Sequence, residues 1–599
     1  MAGPLDLGSA PTSSPISRGR AGSLLLLAAI LSQPAAATAE APSPSDPSRA
    51  GRQETVIDLQ LDWQSSTVEI EDGSGRRGRA TLIDLNPRVH AWLLLTLGWE
   101  GSPAPETYHL ENPDAPSQRV RLDPGHPVGV VLESPGGAAM RCDLWSVTSR
   151  EGLAQAKASP TPYAPLCRER LYLRQQEAGH RTMKERAADL LRDHVWGGAK
   201  ITELVRDTFF KDAWLERAPL TRESGSETHR AGEPAWAEID PELADERVEP
   251  SELGIDTARE PDGKLTVGHW YPVNGNPGIF VSAVTPRAIS QKVMAGVAHP
   301  VNPLDPVEVD ALAYLVAFDL DRFDLRFSLG TEHPRVDWSD RVLPQVRDPS
   351  LPGPDGIGTI APLVRTGMVS PAAKIRVAAT FTGGFKRLHG AMRWGALALV
   401  DHGSHYGFIE NGVVLSRLQP GLATALAFDD GRVEVETWSE SDEREVERVR
   451  FARQNGVPLI ERNPATGRSE PGALVTQWGP GNWSGSEDKH LRTLRAGLCL
   501  LEDAGNRFLV YGYFSSATPS AMATVFQGYG CRYAMLLDMN ALEHTYMALY
   551  REQDGKFLIQ HLIQGMSQLD TAVDGQYLPR FVAFPDNRDF FYLLRRQAP

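Results

Sequence analysis

The run Tyr533-Ala534-Met535-Leu536-Leu537-Asp538-Met539-Asn540 sets a carboxylate near the end of an apolar stretch. A carboxyl so placed can act as a nucleophile or a general base; the plainer alternative is an aspartate that caps a helix N-terminus. Glu543 and His544 follow at about the distance of a helical turn and could supply a proton. Arg495 lies in the apolar run 494–501, and its planar fork suits an anion held by two bonds. It could equally form an ion pair with Asp538. Gly383 and Gly384 come directly after a short apolar run, with Lys386, Arg387 and Arg393 close behind. Paired glycines permit a sharp turn whose N–H groups converge on an anion. A tight loop with a solvated basic edge is the simpler reading.

These groups need elements to hold them. Residues 375–378 read as a buried strand entering the Gly-Gly turn. Asn411-Gly412 and Asp429-Asp430-Gly431 each sit between apolar runs, which predicts two hairpins. Residues 494–501 and 508–513 predict a third hairpin, 520–528 a helix, and 533–540 a buried strand. Residues 441–453 are dense in charge and read as a helix. Residues 313–318 read as a strand running into Asp319, Asp321 and Asp324; without the glycine and distal glutamate of a calcium loop, that cluster reads as a solvated strand end. His402 and His405 have metal-ligand spacing, but Gly403 and Gly407 mark a loop, so no metal is expected there. With no Walker motif, nucleophile elbow or His-Glu-x-x-His, no cofactor is expected either.

Strand, Gly-Gly turn, two hairpins, arginine-bearing strand, helix and a final Leu-Asp, in that order, resemble the phosphodiester glycosidase family over residues 313–547. The family motif is commonly Asn-Gly-Gly-Phe; here Thr382 stands in place of the asparagine. A glycine-rich tail usually follows the aspartate; here the run is Leu-Asp-x-Asn, with Asn540, as in a bacterial branch. The resemblance implies hydrolysis of a glycosyl phosphodiester. It puts Asp538, Arg495, His544 and Glu543 in catalytic roles and Thr382, Gly383, Gly384, Lys386 and Asn540 on the substrate. The departures favour a rival reading, a noncatalytic glycan-binding or envelope scaffold protein that keeps the fold.

At 599 residues the chain exceeds a single core. A formal net charge of −15 argues against nucleic acid as a partner. Arg18, Arg20, the apolar run 24–31 and Ala37-Thr38-Ala39 read as an export signal over 1–39, leaving no transmembrane anchor after cleavage and a periplasmic or secreted product. Cys142, Cys167, Cys499 and Cys531 suit two disulfides, paired by proximity in sequence, or four buried thiols. The expected organisation is a flexible spacer over 40–54, a β-sandwich-like domain over 55–150, a helical hairpin within 160–215, an acidic linker over 216–263 and the glycosidase-like domain over 264–599. Trp236 and Ile239 leave open that the linker is a strap over the last domain. The expected fold class is α+β, with a mixed sheet in the C-terminal domain.

Overall fold

In a computed structural model of the chain, the described residues are 55–146, 152–183, 185–186, 212–217, 220–222, 232–332, 335–387, 391–393, 395–477, 491–553, 556–573 and 576–597. The export signal and most of the expected helical hairpin lie outside them.

Alternation of apolar and polar residues near the N-terminus yields strands. Gln64–Glu71, Arg77–Asp84, Trp92–Trp99 and Glu106–Glu111 run in order through one antiparallel sheet. Leu171–Arg174 and Tyr163–Leu166 complete its six strands. Arg119–Arg121, Gly129–Glu133 and Met140–Asp143 form a second sheet. Ile70, Leu82 and Leu95 share one core with Val130 and Leu132 of the second sheet. Cys142 and Cys167 form a disulfide that joins the two sheets. The start of the expected helical section is therefore strand, because Leu171, Tyr172 and Leu173 complete this sheet and are buried by it.

Residues 232–263 are not a loose linker. Glu246–Val248 pairs with Thr221–Arg222 and Leu265–Thr266. Val248, Leu253 and Ile255 are buried in the main core, and Trp236 stacks on His269 at 3.6 Å between ring centres. The acidic composition is met by internal partners: Glu260 accepts from Tyr271 at 2.7 Å and faces Arg247.

Among the described residues, the rest is three larger antiparallel sheets around that core and a two-stranded ribbon, Thr571–Val573 with Gln576–Leu578. An eight-stranded sheet has the hairpin Thr493–Asp503 and Asn506–Ala517 at its centre, flanked by Ala313–Asp319 and Tyr533–Met539. Its turn, Ala504-Gly505, has φ of 48° and 88°, the left-handed pair that a two-residue hairpin of matching twist requires. Tyr271–Pro272 lies at the edge of this sheet, where a proline's missing N–H does no harm. A five-stranded sheet holds Phe323–Ser328, Phe590–Arg595, Val377–Thr382, Met547–Gln553 and Lys556–His561 in spatial order. Another holds the hairpins turned at Asn411-Gly412 and Asp429-Asp430-Gly431, with Val449–Gln454 between them.

The α+β expectation is overturned: the protein is largely β. Among the described residues the α-helices are Leu153–Lys157, Ala396–Val400 and Pro519–Gly528. The charge-dense stretch read as a helix is a 3₁₀ segment, Glu440–Arg448, followed by the strand Val449–Gln454. Buried pairing of that strand on both edges overrides helix propensity. The sheet is not mixed either; every pairing between strands among the described residues is antiparallel.

Candidate active site

Asp538 occupies the penultimate position of Tyr533–Met539, an interior strand of the eight-stranded sheet, and is buried. Its Oδ1 accepts from the Met539 N–H at 2.8 Å and its Oδ2 from Arg588 Nη1 at 2.7 Å. Burial pushes the carboxyl up to about 6 against the opposing pull of the Arg588 guanidinium.

Arg588 comes from the run Pro585-Asp586-Asn587-Arg588-Asp589, which leads into the strand Phe590–Arg595. Its Nη2 reaches Glu185 Oε1 at 3.2 Å. Lys386 Nζ donates to the same oxygen at 2.9 Å and Asn587 Nδ2 at 3.1 Å. Burial works against the Glu185 carboxylate, but Arg588 and Lys386 outweigh it and hold its pKa far below the usual range. Asp538, Arg588, Glu185 and Lys386 thus alternate in sign along one buried line, two anions against two cations.

Glu185 is delivered by a segment from outside the sheets. Gly179 lies so close to the 585–589 run that a Cβ there would meet Asn587 N at 2.6 Å. The His180 N–H donates to the Pro585 carbonyl at 2.8 Å, and Arg181 pairs with Glu332.

The Gly-Gly turn sits beside this line. The Gly383 N–H donates to the Asp589 carbonyl at 2.9 Å and the Phe385 N–H to Asn455 Oδ1 at 3.1 Å. Gly384 has φ of 139°, and a Cβ on it would stand 2.8 Å from Asn455. Asn455 Nδ2 in turn donates to the Leu536 and Leu537 carbonyls at 2.7 and 2.8 Å, tying the turn to the strand that carries Asp538. Arg453, fully buried, pairs with Asp589 through Nε at 2.9 Å and donates to the Phe385 carbonyl at 2.8 Å. The glycines serve close approach, and at least two of the turn's N–H donors are engaged within the protein.

Thr382 Oγ1 donates to the His544 carbonyl at 2.5 Å, which fixes the loop after Asp538. His544 keeps part of its surface open, yet its ring packs among these groups. Burial first, and then the Arg588 charge, hold its pKa well below the ordinary value. The ring is therefore neutral near pH 7. Its Nδ1 lies 2.7 Å from the Met539 carbonyl and so must donate, leaving Nε2 as the basic nitrogen. A neutral ring carries no extra proton for the acid role expected of it.

Arg495 and Asn540, both expected members, stand apart. Arg495 is fully buried, but its cross-strand neighbour is Met539, not Asp538. Its guanidinium donates to the carbonyls of Ala517 and Leu491 at 2.8 and 2.9 Å and to the Met539 sulfur at 3.1 Å. It braces the strand ends, and Arg588 takes the place beside the carboxylate. Asn540 turns the chain with φ of 83° and accepts from Thr493 Oγ1 at 3.1 Å, a local tie. Glu543 is half-buried, and its carbonyl accepts from Arg580 Nη1 at 2.9 Å. His402 Nδ1 lies 3.3 Å from the Val346 carbonyl, and the His405 ring meets Phe385 and Tyr406 edge-on.

Sequence reasoning missed Arg588, Asp589, Arg453, Asn455 and Glu185. A signal existed for the first two: four polar residues, Asp586 to Asp589, abut the apolar strand that begins at Phe590, so their charges enter the core with it. Glu185 carried none, because its stretch reads as a solvated helix.

No family model matches this chain, and no curated protein matches its sequence. Among solved structures, the protein is weakly similar to the catalytic domain of zebrafish N-acetylglucosamine-1-phosphodiester alpha-N-acetylglucosaminidase, auto-inhibited by its pro-peptide, at 12% identity and a TM-score of 0.27; the match covers 54% of this chain and 85% of that one. A protein from Burkholderia pseudomallei matches at 10% identity and a TM-score of 0.19, covering 47% of this chain and 74% of its own. A hypothetical protein from Synechocystis matches at 10% identity and a TM-score of 0.18, covering 89% and 97%. Similarity at this level neither fixes the fold of this chain nor assigns chemistry to it.

Proposed function

We propose that the protein is an exported hydrolase of glycosyl phosphodiesters and that Glu185 holds the place of the substrate's phosphate. The observation that carries this reading is the buried line of Asp538, Arg588, Glu185 and Lys386. Glu185 contributes one negative charge, shared between a guanidinium and an ammonium. A phosphodiester carries one negative charge as well, so its exchange for the Glu185 carboxylate leaves the charge balance unchanged.

In the reaction, water attacks the anomeric carbon and the bond from that carbon to the phosphate oxygen breaks. The phosphate monoester leaves with the electron pair, its charge taken up by Arg588 and Lys386. Asp538, mostly ionised at pH 7, takes the proton from the water. A phosphate ester leaves readily without protonation, so a neutral His544 is no obstacle. Two disulfides suit an oxidising compartment, which supports export; among the described residues no helix is long and apolar enough to cross a membrane.

The test is a turnover screen on sugar 1-phosphodiesters with wild type, Glu185→Gln and Asp538→Asn, each checked for fold by circular dichroism. Turnover in wild type or Glu185→Gln, rising with pH through about 6 and lost in Asp538→Asn, is the expected result. Undiminished turnover in folded Asp538→Asn refutes the role of that carboxylate. The closed state of the cluster and the engaged donors of the Gly-Gly turn favour the rival scaffold reading. Saturable glycan binding with no turnover in any of the three proteins would establish it.

A further inference from the structure

A cavity of about 490 Å³ opens between residues 111–117 of the N-terminal unit of sheets and three strands of the C-terminal sheets, Phe323–Ser328, Val449–Gln454 and Phe590–Arg595, with the 3₁₀ segment Pro371–Arg376 at its side. It shares no residue with the Asp538 cluster. Four guanidinium groups line it: Arg174, Arg326, Arg376 and Arg450. Arg174 is neutralised by Glu111 at 2.5 Å and donates onward to the Val364 carbonyl at 3.2 Å.

The other three have no such partner. Among the described residues no carboxylate lies within ion-pair distance of Arg326, Arg376 or Arg450. Arg450 Nε is buried without a hydrogen bond, as is the hydroxyl of Ser370 on the same wall. The nearest acids are otherwise occupied. Asp324 pairs with Arg596 at 2.9 Å, and its pull on Arg376 and Arg450 is outweighed by burial and by Arg326. Glu410 accepts from Ser328 Oγ and the Leu329 N–H, both at 3.0 Å, and burial pushes its carboxyl up to about 7. Asp114 contributes one acid at the loop. Arg376 and Arg450 are disfavoured in their charged form by burial and then by the Arg326 charge. Guanidinium groups do not shed their protons at physiological pH, so this repulsion persists until an anion enters.

We propose that this cavity binds an organic phosphate with a hydroxyl-bearing body, its phosphate held by Arg326, Arg376 and Arg450. The volume falls within the roughly 300–1,000 Å³ of small-molecule sites. Arginine forks match phosphate oxygens two at a time. Tyr592, Ser370, Asn112 and Asn411 supply donors and acceptors for the hydroxyl-bearing part. Because the walls come from both the N-terminal sheets and the C-terminal body, the ligand would clamp one to the other.

The test is isothermal titration of the full chain at low salt with glucose 1-phosphate, inorganic phosphate and glucose, using wild type, Arg376→Gln, Arg450→Gln and Asp538→Asn. Wild type is expected to bind glucose 1-phosphate more tightly than inorganic phosphate, and glucose not at all. Each arginine variant is expected to weaken binding at least about tenfold, while its melting temperature without ligand stays level or rises as repulsion is relieved. Asp538→Asn is expected to bind as wild type does, which separates this site from the proposed hydrolytic one. Absence of saturable phosphate binding, or wild-type affinity in both arginine variants, overturns the proposal. A fall in melting temperature with affinity intact would show that the arginines are structural.

Discussion

Replacing Glu185 with Gln tests whether that side chain stands in for substrate. The carboxylate is 5% exposed and is met by Lys386, Arg588 and Asn587. Removing one partner of a buried ion pair costs about 3–5 kcal/mol. If the segment bearing Glu185 must lift away before a phosphate can enter, the same quantity opposes entry in wild type. Its removal should then tighten apparent binding of a phosphodiester on the order of 10²–10³-fold. Dimethyl phosphate is a suitable probe, titrated in an Arg450→Gln background so that the arginine-lined cavity does not contribute. The pH sign follows from linkage. Glu185 has its pKa held below its ordinary 4.5, so its contribution is complete above that pH and fades as pH falls through the lowered value. The gain in affinity should therefore be full at pH 7 and shrink in acid. Loss of unfolding free energy in urea with unchanged affinity for the diester would refute the reasoning and leave Glu185 as a structural anion.

Other outcomes follow from single sites. Asp401 is buried, neither of its carboxylate oxygens has a hydrogen bond among the described residues, and burial raises its pKa to about 8 from an ordinary 3.8. A raised folded pKa means stability that is full below the unfolded value and lost as pH rises through the folded one. Asp401→Asn should hence gain on the order of a few kcal/mol over wild type at pH 8 and match it near pH 4 in urea denaturation. Gly384→Ala should destabilise by about 1–3 kcal/mol, since a Cβ at φ of 139° and 2.8 Å from Asn455 forces a shift. If melting shows no loss, the close approach is not limiting.

Much of the fold was legible because its signals are local. Asn411-Gly412 and Asp429-Asp430-Gly431 turn hairpins where glycine and its neighbours allow positive φ, and alternation in 56–132 marks strands. The disulfide partners lie 25 and 32 residues apart and follow proximity along the chain. The helical reading of 441–453 failed because charge and the lack of proline describe an isolated segment, whereas pairing on two edges decides a strand.

For the site, neighbouring residues were enough to place Asp538 near the end of a buried strand and to make Gly383 and Gly384 a tight turn. The tertiary structure alone decided which cation meets the carboxylate. Arg495 and Asp538 sit on adjacent strands, but cross-strand register pairs Arg495 with Met539 and turns its guanidinium to backbone carbonyls. Arg588, 50 residues beyond Asp538, takes the partner's place, and Glu185 arrives from 403 residues before Arg588 in the chain. Burial explains the difference. A strand's apolar pattern is written in neighbouring residues, whereas a charge taken out of water must be met by whatever opposite charge the packing brings, from any distance along the polymer.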